Sequence, residues 1–528
     1  LNTSDLMRVQ VNLTPANILA ASFLYNYADQ ARNGLSFLDP VETTINRRQT
    51  LYFASLKDQV YFHRGALIEF GFASSRAYTR EAPQGDQTFE YLPSGKRGNY
   101  FLDLTRHTSR EEWSANAYLP AMTWFGGHQL MGGLNVQRNR YERAADRHDY
   151  RVLRSDMSVA REVYFTGSGL ANRRNLEVST YMQDRWSPMN GLLIEAGVRA
   201  DWNEVVRDVM MSPRLSAAYA PKWMRETKVA AGIGIFRDSL NLGTITRHQD
   251  QVSISTFFDP SGVIRRGPIE TAFQIVDRDL RMPRYRTLSL SMERKLPLEF
   301  YGKAAYIRRG GRRGLTFVNE LPLPGDLAPF PAGGFYQLRN VRNDRYDAVE
   351  VTVRRTFGGR FEFSAGYTRS NSRSDAVVDY SLENPIFALQ GPGPFAWDAP
   401  NRFVTWGWAP IPKRLLPGPL ASLTRDTDVA YLAEYRTGFP FSVVNEESFL
   451  LGNPNGRRLP SYFNVNLHVE RRFPFLHYLW AWRVGVNNLT NSGNPNVVNN
   501  VAESPTFLSY GRGQQRAVNV RLRFLGRR

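Results

Sequence analysis

The chain has 528 residues, no cysteine and a net charge of +18, with 42% hydrophobic and 13% aromatic residues. No apolar run approaches the ~18 residues that a spanning helix needs, and the absence of cysteine excludes disulfides and thiolate metal sites. The charge carries no basic helix, zinc spacing or RNA-binding signature, so anionic lipid headgroups are the expected partner and nucleic acid is not.

Alternation of period two starts at once and recurs along the chain. Met7, Val9, Val11 and Leu13 alternate with Arg8, Gln10 and Asn12; Thr14-Pro15-Ala16-Asn17 turns the chain, and Leu19, Ala21, Phe23, Tyr25 and Tyr27 return. A second pair runs through Leu51–Phe62 and Ala66–Phe72, and a third joins Trp113–Leu119 to Leu130–Val136 across Trp124-Phe125-Gly126-Gly127. After a polar stretch with strand character, Tyr150–Phe165, the fourth hairpin spans Leu176–Trp202. Its return arm puts Leu192, Ile194, Ala196, Val198, Ala200 and Trp202 on one side, with Glu195, Arg199 and Asp201 on the other, and Ser187–Gly191 is the turn. The fifth pairs Leu215–Tyr219 with Val229–Ile235, and the sixth pairs Leu288–Met292 with Gly302–Tyr306. In the seventh, Val349, Val351 and Val353 face away from Glu350 and Arg354, Gly358-Gly359 makes the turn, and Phe361–Tyr367 returns. Phe403–Pro410 and Val429–Val443 form a looser eighth pair. The ninth joins Phe463–Val469 to Trp480–Val486 across Phe473-Pro474-Phe475, with Asn464, Asn466, His468 and Glu470 on its polar face. One further strand, Val518–Phe524, has Arg521 and Arg523 on its polar side.

Turns within pairs are short, whereas the connections between pairs are long: Ser239–Asp279, Gly310–Asp344, Asn371–Asn401, Asn445–Leu459 and Ser492–Gln515. That segregation predicts an antiparallel transmembrane β-barrel with short periplasmic turns and long extracellular loops, since a barrel strand needs an apolar residue only at every second position. Aromatics at Trp186, Phe473, Phe475, Tyr478, Trp480 and Trp482 fit an interfacial girdle near the short-turn end. The polar residues Glu195, Arg199, Asp201, Glu350, Arg354, Asn464, Asn466, His468, Glu470, Arg521 and Arg523 are then expected to line the lumen.

Several phrases carry a family resemblance. Tyr181-Met182-Gln183-Asp184-Arg185-Trp186 followed by Gly197-Val198-Arg199-Ala200-Asp201-Trp202, then Ser212-Pro213-Arg214, Tyr367-Thr368-Arg369-Ser370, Asn401-Arg402-Phe403, Gly438-Phe439-Pro440-Phe441 and Asn487-Asn488-Leu489-Thr490-Asn491, resembles the barrel of TonB-dependent outer-membrane receptors of the Oar-like branch. The resemblance implies a Gram-negative outer-membrane location, a barrel of about 22 strands and an N-terminal plug that contacts the TonB energy complex. The pairs counted here amount to roughly 19 strands. Residues 1–528 are therefore expected to be an N-terminally incomplete barrel without its plug, monomeric, surrounded by outer-membrane lipid and lipopolysaccharide, and taking up a scarce or bulky nutrient such as a siderophore, glycan or peptide.

Chemistry is sparse. The seven histidines, at 63, 107, 128, 148, 248, 468 and 477, show no metal-ligand spacing, and no nucleophile elbow or dinucleotide fingerprint is present. No enzyme, cofactor or metal site is expected. Ligand-binding candidates are the arginines and aromatics expected in outer loops: Arg308, Arg309, Arg312, Arg313, Phe317, Phe330, Phe335, Tyr336, Phe395 and Trp397. Arginine can clasp carboxylate or phosphate and aromatic rings can stack on sugar or siderophore rings; the same arginines could instead meet lipopolysaccharide phosphates. A non-transporting barrel for adhesion or envelope structure, and a soluble all-β carbohydrate-active protein, are the alternative readings.

Overall fold

Strands with one greasy and one polar face satisfy their backbones only by pairing sideways, and here each pairs with the next in the chain. The computed structural model describes residues 1–246, 250–319, 334–357, 361–383, 388–411 and 424–527. Among these, nineteen long strands follow in order. The first ten are β1 (Asn2–Thr14), β2 (Asn17–Asn33), β3 (Ile45–Tyr61), β4 (Leu67–Pro83), β5 (Leu102–Tyr118), β6 (Gly127–Arg147), β7 (Leu170–Met189), β8 (Leu192–Asn203), β9 (Val209–Tyr219) and β10 (Thr227–Arg237). They continue with β11 (Arg284–Lys295), β12 (Tyr301–Asn319), β13 (Gly334–Phe357), β14 (Phe361–Ser374), β15 (Asn401–Pro410), β16 (Thr427–Arg436), β17 (Tyr462–Phe475), β18 (Tyr478–Asn487) and β19 (Ala517–Arg527). All successive pairs are antiparallel, so the wall is one uninterrupted meander. Among the described residues no pairing joins β1 to β19, and β1 is exposed along its whole length. The soluble alternative required two stacked sheets with the apolar faces between them, and among the described residues this wall has no such partner.

A soluble chain of 528 residues would expose roughly 19,000 Å², whereas this one exposes 30151 Å². The excess is the surface of a wall open on both faces, and one of those faces is apolar. Leu56, Phe72 and Trp113 lie in register across β3–β5 and are exposed, as are Met182, Leu215, Ile233, Leu290, Val349, Val351 and Val520. An apolar belt of this extent is stable only against hydrocarbon. The opposite face is polar and internally paired. Glu69 meets Lys57 at 2.6 Å, accepts from Gln59 at 2.6 Å and from the Tyr118 hydroxyl at 3.3 Å.

The short turns close tightly because their residues tolerate left-handed backbone. Gly191 has φ 85° and a Cβ there would meet the Ala220 carbonyl at 2.6 Å, so Asn190-Gly191 is the turn and the strand runs through Ser187 to Met189. The ninth turn likewise shifts: Phe473-Pro474-Phe475 is still strand, and Leu476-His477, both at positive φ, reverse the chain. Exposed Trp124, Phe125, Trp223, Phe475 and Tyr478 crowd this end, with Phe524 packed on Trp480 at 5.2 Å between ring centres.

The described ends of one expected loop are wall. Gly310–Asp344 was expected to be a connection, but β12 and β13 stay paired from Tyr301–Arg354 up to Asn319–Tyr336, well beyond the apolar belt. Its glycines sit at bulges, with register shifts at Gly311/Gly314 and Arg313 at φ 60°. The eighth pair also ends early, at Arg436 instead of Val443. The Gly358-Gly359 turn, His248 and Phe330 lie outside the described residues.

Candidate functional site

Three connections on the long-loop side, residues 84–101, 148–169 and 238–283, build a second sheet above the wall. Its strands follow the order Gly95–Arg97, Phe89–Leu92, Tyr150–Leu153, Val159–Thr166, Val252–Phe258, Ile264–Gln274 and the first residues of β13. Two of these contacts are parallel, Tyr150 beside Phe89 and Thr271 beside Gly334, because they join separate connections. The sheet has its own apolar cores. Phe89, Phe101, Tyr150 and Val163 form one; Phe273, Leu280, Phe317, Tyr336 and Tyr380 form another. Burial holds the Tyr91 and Tyr150 hydroxyls above the ordinary phenol range, so both stay neutral.

Charged and amide groups tie this sheet to connections 375–400, 437–461 and 488–516, which leave the wall far along the meander. Arg147, its side chain wholly buried, binds Asp250 at 3.1 Å, Gln251 at 2.5 Å and Glu383, and Asp250 also takes Arg143. Arg154 reaches Glu447 at 3.2 Å, and Arg265 reaches the same carboxylate at 3.0 Å. Asn499 donates to the Pro93 carbonyl at 2.9 Å, joining the connection after β4 to the one before β19. The outer loops are therefore one interlocked layer. Burial lifts the Glu446 carboxyl above its ordinary range beside this latch.

The sequence-predicted residues divide. Phe317 (6% exposed) and Tyr336 (3%) are core of the loop layer, with Phe273 edge-on to Phe317 at 5.0 Å and stacked on Tyr336 at 5.1 Å. The expectation that they stack on a ligand is corrected: their rings are used up by one another. Phe335 is half-buried in the strand contact with Ala272. Arg308, Arg309, Arg312 and Arg313 are on β12, not in a loop; Arg308 and Arg312 share the outward side with Tyr306, Arg309 has the inward register, and Arg313 sits on the bulge. Trp397 remains available. It is 66% exposed and stacks on Phe395, with ring centres 4.6 Å apart and planes at 15°. The turn beneath is held rigidly, because Asp398 accepts from the Ser372 amide and hydroxyl at 2.8 Å each and from Arg458 at 2.5 Å.

The inward residues share one face and interact. Arg199 donates to Asp201 at 2.7 Å and to Ser179 at 2.7 Å, and Glu195 meets Arg185 at 3.1 Å. Arg354 lies over the Tyr301 ring, 5.6 Å from its centre, and Glu350 is half-buried on the same side of β13. Asn464 donates to Asn466, Glu470 takes Arg523 at 3.0 Å, and Arg521 stands opposite Arg483. His468 lies across from Gly485, where an added Cβ would meet its Nδ1 at 2.0 Å. The inward face is hollowed into a concavity of about 490 Å³ lined by Tyr181, Gln183, Arg199, Arg214 and Ser289. A second, of about 400 Å³, reaches from Glu177 and Asp201 to Ser239 and Met282 of the loop layer. Among the described residues no three metal-ligating side chains are grouped. The latch residues Arg147, Asp250, Glu383 and Asn499 were missed by sequence reasoning, since their partners lie many strands away.

A family model described as "outer membrane beta barrel domain" matches residues 207–458, a little under half of the chain. No curated protein sequence matches the chain. Among solved structures, it is similar to the outer membrane transporter YddB from Escherichia coli, at 10% identity and TM-score 0.68 over 99% of this chain and 68% of that one. It is also similar to the siderophore receptor PirA from Acinetobacter baumannii, at 12% identity and TM-score 0.67 over 99% and 70%. The ferripyoverdine receptor of Pseudomonas aeruginosa matches at 13% identity and TM-score 0.66 over 99% and 64%. At such identities the likeness is one of fold, and the chain spans about two-thirds of each of these structures. The outward apolar belt, the polar bore and the loop layer agree with it: the chain is an integral outer-membrane β-barrel with the fold of the TonB-dependent receptor barrels that its sequence resembles.

Proposed function

We propose that this barrel imports a scarce or bulky nutrient, a siderophore, glycan or peptide, and performs no catalysis itself. The observation that carries the reading is the interlocked loop layer with the exposed Trp397 ring stacked on half-buried Phe395, standing above a polar, hollow bore. Flat aromatic faces held on a rigid turn stack on a planar or ring-bearing ligand with little entropy to lose. The likeness to siderophore receptors supports a ligand of that size. In this reading residues 1–528 are the barrel portion of a receptor, and further strands and a TonB-coupled plug complete it. The unpaired outer edges of β1 and β19 support this, because open edges in hydrocarbon leave backbone groups unsatisfied.

Titration of the purified chain with ferric siderophores, oligosaccharides and peptides, followed by tryptophan fluorescence, tests the proposal. One class is expected to bind, and Trp397→Ala to weaken it about tenfold, in line with ~1–1.5 kcal/mol for a lost aromatic stack. If no class binds and cells carrying the protein instead attach to surfaces through these loops, the adhesion reading replaces it.

A further inference from the structure

An apolar island interrupts the polar bore wall on β14–β17. Trp113, Trp186, Trp202, Trp480 and Trp482 stand in register with the outward Phe72, Ile194, Val209, Phe524 and Leu522. Trp406 and Trp408 of β15 take the opposite register and face the bore, since Phe403 and Thr405 alternate with them on the outward side. Three inward rows cross this region. The uppermost, towards the loop layer, holds Gly366, Val404, Glu434 and Asn464; the next Ser364, Trp406, Leu432 and Asn466; the lowest Glu362, Trp408, Ala430 and His468. With strands about 4.8 Å apart and rows about 7 Å apart, the island measures about 14 Å each way. The outward face at the same height carries Ala433, Val465, Tyr431 and Leu467, so the island lies at the depth of the hydrocarbon.

Both indoles are open to the bore. Trp406 is 39% exposed and Trp408 half-buried, and among the described residues neither makes a hydrogen bond or a ring contact. Their neighbours are small: Ser364 and Gly366 on β14, Ala430 on β16. Packing does not demand the glycine, because a Cβ on Gly366 would make only ordinary contact, 3.6 Å from the Thr352 hydroxyl. The polar groups beside the rings keep free capacity. Asn466 accepts through Oδ1 from Asn464 at 3.2 Å and from the Asn488 amide at 2.9 Å, while its own Nδ2 bonds nothing; Glu362 and Ser364 have no side-chain partner among the described residues. Arg402 and Glu434 neutralise each other at 3.1 Å, and no lysine or arginine stands in the three rows.

An open aromatic face edged by a carboxylate, a hydroxyl and an amide is complementary to a sugar ring, whose flat C–H face lies on the indole while its hydroxyls reach the polar atoms. An anionic ferric chelate would meet the Glu362 carboxylate without a compensating cation, and a peptide offers no such flat saturated face. We propose that Trp406 and Trp408 form a sugar-binding track in the bore wall, over which a neutral oligosaccharide passes ring by ring from the Trp397 connection, which runs directly into β15, towards the short-turn end. The inference rests on the import reading and selects the glycan among its three classes.

Calorimetric titration of the full chain in detergent tests it, with neutral glucose, mannose and galactose oligosaccharides, an oligogalacturonate, a ferric catecholate and a peptide as probes. One neutral oligosaccharide is expected to bind, and the oligogalacturonate about tenfold more weakly, a gap that Glu362→Gln narrows. The combined Trp406→Ala, Trp408→Ala variant should lose about tenfold or more in affinity, whereas Trp406→Phe, which keeps a flat ring, stays within about threefold of wild type. Heat-modifiable migration confirms folding; if the double variant lacks it, the single exchanges are read instead, each expected to weaken binding about threefold. Unchanged affinity in the folded variants, or binding of the ferric catecholate or the peptide in place of every neutral oligosaccharide, would overturn the track and leave the import reading standing. No binding by any probe would remove both.

Discussion

Asn499 shows how much one side chain can carry across the barrel mouth. Its buried amide donates within reach of the Pro93 carbonyl at 2.9 Å, Ser504 at 2.8 Å and Thr506 at 2.8 Å, and its Oδ1 takes the Val501 amide at 3.1 Å. Replacing Asn499 with Ala leaves the Pro93 carbonyl unmatched and is expected to cost about 1–3 kcal/mol of loop stability. Limited proteolysis would show it as faster cleavage in connections 84–101 and 488–516, with heat-modifiable migration of the barrel unchanged. Nothing local marks Asn499, since its partner is 406 positions away. The same holds for Phe317 and Tyr336: an aromatic near arginines reads as a ligand contact, and only the packing of Phe273 between them makes them core. For residues such as Arg199 and Glu470 the sequence assigns a face, because strict alternation fixes one for every position once a strand is recognised.

Whole hairpins were legible for that reason too, apart from the upper arms of β12 and β13, where glycine bulges interrupt the alternation. What alternation cannot reveal is the loop sheet, because its short strands pair between connections and not along the chain. The Arg147 latch controls that sheet. Removing a buried cation that serves two carboxylates typically costs about 3–5 kcal/mol, as the carboxylates are left uncompensated. Arg147→Ala is therefore expected to raise amide exchange in Val159–Thr166 and Val252–Phe258, next to which Asp250 keeps only Arg143 and the tie to Glu383 is cut, while β2–β5 keep their protection. Equal exchange in variant and wild type would show that the apolar cores, not the ion pairs, hold the layer.

For the molecule as a whole, the exposed area of 30151 Å² marks a wall wetted by lipid on one side and water on the other. Composition hints at this only weakly, with a mean hydropathy of -0.42 that averages the two faces. Reconstituted in planar bilayers, the chain is expected to conduct ions through its hollow bore, and Arg147→Ala to conduct with longer openings as the loop layer loosens. An impermeable chain would mean that the inner face is filled. The loop layer bears on recognition by outsiders as well. Its exposed surface joins stretches from both halves of the polypeptide, so an antibody raised against it would see a conformational epitope that no short synthetic peptide reproduces. Exchanging one connection for a foreign one would then disturb its neighbours as well, so that antigenic change in this surface proceeds by concerted replacement of several segments.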